Sequence, residues 1–87
     1  MNRDWHDSQR GDDLALLSDE ADAARSFGMF AQAAELYERA AHRTDDTAAS
    51  LRLLMRQAQC LTELGDHDEA ELIVRLVVHK VLTPPWR

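Results

Sequence analysis

The chain has 87 residues, with 16 acidic against 10 basic side chains and a formal charge of −6, a balance that repels phosphate backbones and anionic headgroups and excludes nucleic acid and membrane as first partners. This length makes one domain at most, burying only about 60% of the surface of its unfolded form. Cys60 is the single cysteine, so neither a disulfide nor a paired-cysteine metal site can staple the domain, and association is the remaining source of extra stability.

Residues 1–11 hold charge, Gly11 and a lone aromatic, Trp5, without periodicity, and read as a flexible arm. They lack the apolar core of a signal peptide, and no run approaches the ~20 apolar residues of a membrane span, so a soluble cytoplasmic protein is expected. A helical domain is predicted over residues 12–82. Its first helix starts near Asp12, with Leu14, Leu17, Ala21, Ala24 and Phe27 on one face, and closes at Gly28. A second helix runs from about Phe30 to Arg43, burying Ala33, Leu36, Tyr37, Ala40 and Ala41 while Glu35, Glu38, Arg39 and His42 face water.

After a polar turn at residues 44–47, a third helix is expected from about Asp46 to Leu64, its apolar side formed by Leu51, Leu54, Ala58, Leu61 and Leu64. Gly65 ends it as a left-handed cap. Asp66 and Glu69 have the spacing of an acidic capping box for a fourth helix reaching about Leu82. Consecutive prolines then leave residues 83–87, which include Trp86, as an extended tail.

The second half repeats the first at a shift of 37 residues: Leu17, Ala21, Gly28, Ala33 and Tyr37 correspond to Leu54, Ala58, Gly65, Ala70 and Val74. Two helical hairpins follow, with alanines where paired helices must approach closely. On these residues the stretch 14–82 resembles the tetratricopeptide repeat family, whose pattern of small and large residues spans ~34 residues. It departs from that pattern by its longer period, by Glu20 and Ala24 in place of leucine and tyrosine, and by Asp45 in place of a closing proline. The resemblance implies an all-α fold, two antiparallel hairpins stacked as a short solenoid, with no catalytic residue, cofactor or metal, and a protein as partner.

It further implies a peptide groove lined by the first helix of each hairpin. The groove residues would be Ser18, Asp22, Arg52, Met55, Arg56 and Gln59, flanked by Ala15, Ser26 and Glu63. Arg52 and Arg56 lie one turn apart and offer the planar fork that matches a carboxylate, unless Asp19, Asp22 or Glu63 already pairs with them. Relatives that clamp a C-terminal carboxylate use lysine and asparagine where this chain has Ser18 and Asp22, so that specificity is not expected.

A second surface is expected on the fourth helix. Its core stripe reads Ala70, Ile73, Val74, Val77, Val78 and Val81, and Leu72 and Leu76 lie off it, where the second helix carries Glu35 and Arg39. Burying each leucine fully would contribute about 1.5–3 kcal/mol, and the last helix of a stack needs a cap or a neighbour. Leu72, Ile73, Leu76, Val77 and Trp86 are therefore the expected association surface, most simply of a homodimer, with coverage by the chain's own tail as the alternative.

Two rival functions find little support in the residues. Asp66, His67, Asp68 and Glu69 could suggest metal ligands for an enzyme subunit, yet no HExxH, CxxC, P-loop or nucleophile-elbow spacing occurs. The turn at Leu64 to Asp66 could belong to a helix-turn-helix DNA-binding regulator, but its would-be recognition helix opens with Asp66, Asp68, Glu69 and Glu71, the wrong sign for phosphates.

Overall fold

The structure, a computed structural model, describes residues 2–82, with side chains from Leu14 onward. It contains four helices in chain order: α1 (Asn2–Ser26), α2 (Phe30–Arg43), α3 (Thr47–Glu63) and α4 (His67–Leu82). Each packs mainly on its neighbour in sequence, α1 on α2, α2 on α3 and α3 on α4. The core runs along these three seams, from Leu17, Ala21 and Ala24 through Ala33, Leu36, Tyr37 and Ala40 to Ala58, Cys60, Leu61 and Ala70.

The two hairpin turns are the same object built twice. At the end of α1 the Gly28 N–H donates to Arg25 O at 3.0 Å and the Met29 N–H to Ala24 O at 2.8 Å. At the end of α3 the Gly65 N–H donates to Thr62 O at 3.0 Å and the Asp66 N–H to Leu61 O at 2.9 Å. Every donor and acceptor in the second set lies 37 residues after its counterpart. This paired bonding is the Schellman closure, which requires a left-handed residue just past the helix, and Gly28 and Gly65 supply it with φ of +78° and +85°.

The link between hairpins is different. Thr44 and Asp46 are extended rather than left-handed. Asp46 caps α3, its Oδ1 accepting the Ala48 N–H at 3.2 Å, and Thr44 Oγ1 accepts the Asp46 N–H at 3.2 Å. Ser50 Oγ donates to Ala41 O at 3.1 Å, tying the first turn of α3 to the last turn of α2. Asp46 is thus the cap of α3 and not its first residue, because its carboxylate satisfies a free amide only from outside the helix.

Several expectations need correction. The backbone of α1 is helical from Asn2, through residues assigned above to an arm; no proline interrupts residues 2–26, and one internal glycine costs only about 1 kcal/mol. Phe27, placed above on the core face, is 82% exposed, and Leu64, its counterpart, is exposed as well. Both immediately precede the left-handed glycine, where the chain leaves the helix and the helical period stops predicting direction. The capping box is also absent: the Asp66 N–H is already spent on Leu61 O, so Glu69 meets the Asp66 carboxyl instead, and that hydrogen bond together with Asp66 charge pushes the Glu69 pKa up. Val78 and Val81, placed in the core stripe of α4, are exposed. Residues 83–87, with Trp86, lie outside the described residues.

Candidate functional site

Three helices meet at one polar contact. Asp22 on α1 accepts a hydrogen bond at Oδ1 from the hydroxyl of Tyr37 on α2. The same oxygen accepts from Arg56 Nη1 on α3 at 3.3 Å. Tyr37 is completely buried, and a buried phenol needs a partner for its O–H. Burial first, then the bond to Asp22 and its negative charge, push the Tyr37 pKa up to about 12. Asp22 and Arg56, expected to face a ligand, are therefore joined to each other and to the core.

Beside this contact a concavity of about 370 Å³ opens between α1 and α3. Leu14, Ala15, Ala49 and Leu53 give it apolar walls, and Ser18, Thr44, Arg52 and Arg56 give it polar ones. Arg52 is exposed and, among the described residues, has no hydrogen-bonding or ion-pair partner. Arginine four residues on is spent on Asp22; Arg52 is not.

Five of the six expected groove residues line two hollows that share Arg52 and Arg56. Ser18, Arg52 and Arg56 share the concavity just described. Arg52 and Arg56 also line a second hollow of about 310 Å³ together with Met55, Gln59, Leu51 and Val77, since at 100° per residue position 59 lies only about 20° round the helix from 52 and position 55 about 60°. Gln59 also borders a third hollow with Arg25, Phe30, Cys60 and Glu63. The spacing within α3 was legible beforehand; which neighbour each stripe would face was not.

A family model described as tetratricopeptide repeat matches residues 24–85. The chain belongs to the tetratricopeptide repeat family. Curated proteins and solved structures gave no match. Tetratricopeptide repeats generally mediate protein–protein interaction, which makes a protein the expected kind of partner.

In this repeat pair the α4 surface is apolar but not in the way the pattern suggested. Leu72 and Leu76 are exposed, as expected, whereas Val77 is buried and Ile73 is half-buried against the core. Val78, Val81 and Leu82 join the exposed set. Cys60 is buried, and burial pushes its thiol pKa up, which keeps it protonated and unreactive. Among the described residues no group of three or more His, Cys, Asp or Glu side chains could hold a metal ion, and no helix is long and apolar enough to cross a membrane.

Sequence reasoning missed Gln57. It is 6% exposed, and its Oε1 is buried without a hydrogen-bond partner. The signal was available: the equivalent position in the first repeat is the charged Glu20, replaced in the second by a neutral amide.

Proposed function

We propose that this chain is a noncatalytic interaction module of the cytoplasm, a small adaptor or accessory subunit that takes a partner polypeptide into the groove between α1 and α3. The observation that carries this reading is Arg52. It stands on an apolar-walled concavity with its guanidinium unpaired among the described residues, and a guanidinium matches a carboxylate in bidentate geometry. Arg56 has the supporting task of holding Asp22, so it orders the groove wall. The partner segment would bring an acidic side chain or its own C-terminal carboxylate to Arg52 and lay an apolar side chain against Leu14 and Leu53.

Capture from native lysate on immobilised wild-type chain and on Arg52→Glu, read by mass spectrometry, tests it. Proteins retained by wild type are expected to be lost from Arg52→Glu. Equal capture by both would remove the groove as the site.

A second reading, self-association through α4, is favoured by a specific observation: Leu72, Leu76, Val78, Val81 and Leu82 are all exposed on this one helix. A two-fold pairing would let each copy cover the other's last layer. Sedimentation equilibrium at micromolar concentration decides between a monomer of 9.9 kDa and a dimer. Leu72→Glu with Leu76→Glu is expected to shift a dimer to monomer.

A further inference from the structure

Along the seam between α1 and α3 the Asp22–Arg56 contact stands between two hollows of similar size. The first is the concavity of about 370 Å³ that holds Arg52. The second, also about 370 Å³, lies further along the same helices and is lined by Arg25 of α1, Phe30 of α2, and Gln59, Cys60 and Glu63 of α3.

Arg25 is exposed, and among the described residues its side chain forms no hydrogen bond or ion pair, even with Glu63 in the same hollow. Its charge reaches the central contact all the same: burial and the bond to Asp22 push the Tyr37 pKa up, and Arg25 and Arg56 pull against them. Arg25, Arg52 and Arg56 outnumber Asp22 and Glu63 along this seam, on a chain whose net charge is −6. The seam therefore attracts negative groups that the rest of the surface repels. Because Asp22 already holds Arg56, the two unpaired guanidiniums stand one on each side of that contact.

Their separation sets what can bridge them. Arg25 lies beside residues 59–63, seven to eleven positions along α3 from Arg52, which at a rise of 1.5 Å per residue is about 10–17 Å. An extended chain covers about 13 Å in four residues, and an even step keeps both side chains on one face. A helix, about 10–12 Å across, is too wide for hollows of this volume.

We propose that Arg25 is a second anchor of the groove, and that the partner segment lies extended along the α1–α3 seam with two acidic side chains four residues apart, one on Arg52 and one on Arg25. This arrangement rests on the Arg52 groove and adds to it the spacing by which a partner is selected. Between the acids the segment crosses the Asp22–Arg56 contact, where small side chains leave that contact in place.

Titration of the ¹⁵N-labelled full chain with acetyl-Leu-Ala-Glu-Ala-Ala-Ala-Glu-amide and with its isomer acetyl-Leu-Ala-Glu-Glu-Ala-Ala-Ala-amide, followed through the arginine Nε–Hε signals, tests the spacing at equal charge and composition. The first peptide is expected to shift Arg25 and Arg52 together and to bind about fivefold tighter than the isomer, the ratio for one additional exposed ion pair. Arg25→Gln should bring the two peptides to one affinity and leave that of the isomer unchanged. Equal binding of both peptides to wild type, or an undiminished preference in Arg25→Gln, overturns the second anchor, while saturable shifts at Arg52 would keep the groove. Absence of saturable shifts at Arg52 with either peptide would remove groove and anchor together.

Discussion

The first hairpin, α1–α2, and the second, α3–α4, share their turns hydrogen bond for hydrogen bond, yet they differ in what their second helices bury. On α2, Ala34, Tyr37 and Ala41 are buried. The equivalent residues of α4 are Glu71, which is exposed, Val74, which is half-buried, and Val78, which is 47% exposed. The difference is the neighbour: α2 lies under α3, and among the described residues nothing follows α4. Composition changed with it. Tyr37 and Asp22, which bond one another at the first seam, are replaced 37 residues later by Val74 and Gln59. The first seam is pinned by a directional polar contact across three helices, and the second ends in an apolar face with no such pin. In a repeat stack, then, a residue's burial belongs to the seam and not to its position in the motif.

The sharpest way to break that comparison is to truncate the same motif position in both hairpins. Tyr37→Ala removes a fully buried aromatic and is expected to cost about 3–5 kcal/mol. Val74→Ala, half-buried, should cost about 1 kcal/mol, the scale of one or two methyl groups. Urea denaturation reads both through the shift in midpoint, and equal losses would mean that the two seams bury alike.

Next in size is the feature the hairpins have in common. Gly28→Ala and Gly65→Ala force a side chain into the left-handed region, with nothing within 4 Å of the added Cβ at either site. Backbone strain alone should then cost about 1–2 kcal/mol in each. A marked inequality between the two in thermal or urea unfolding would show that the turns are not equivalent.

The last test concerns the pin itself. The Tyr37 pKa is pushed up to about 12 from its usual 10, so below pH 10 the phenol is neutral in both folded and unfolded chains and its contribution is complete. As pH climbs from 10 towards 12 the unfolded chain loses this proton while the folded chain keeps it, and stability falls. Tyr37→Phe should lack that part of the decline. Since the chain has one tyrosine, tyrosinate absorbance follows the titration directly.

Much of the fold was legible because it is local. The α2 limits, the two left-handed glycines, the 37-residue shift and the core alanines all follow from spacing and from residues with few conformational options. Errors arose where an element's surroundings mattered. Phe27 and Leu64 failed together, since both sit where the chain abandons helical geometry. Val78 and Val81 failed because the apolar stripe shows which side of α4 can be buried but not whether anything covers it. At the candidate site, Arg52 and Arg56 looked identical as residues one turn apart, and only the approach of α1 gave Arg56 a carboxylate and left Arg52 without one. Gln57 escaped notice because the change from Glu20 to an amide 37 residues later marks the position but does not say that the neighbouring helices enclose it.

The sequence by itself determined the four helices, their closure at Gly28 and Gly65 and their duplication, since hydrophobic period, helix-stop chemistry and a left-handed φ act over a few residues. Tertiary structure alone decided that Tyr37, Asp22 and Arg56 meet, that Arg52 borders both the hollow against α1 and the one it shares with Met55, Gln59 and Val77, and that Gln57 is enclosed without a partner. Those outcomes depend on which helix lies across which. That crossing is fixed by the fit of whole faces, with contributions from residues far apart in the chain.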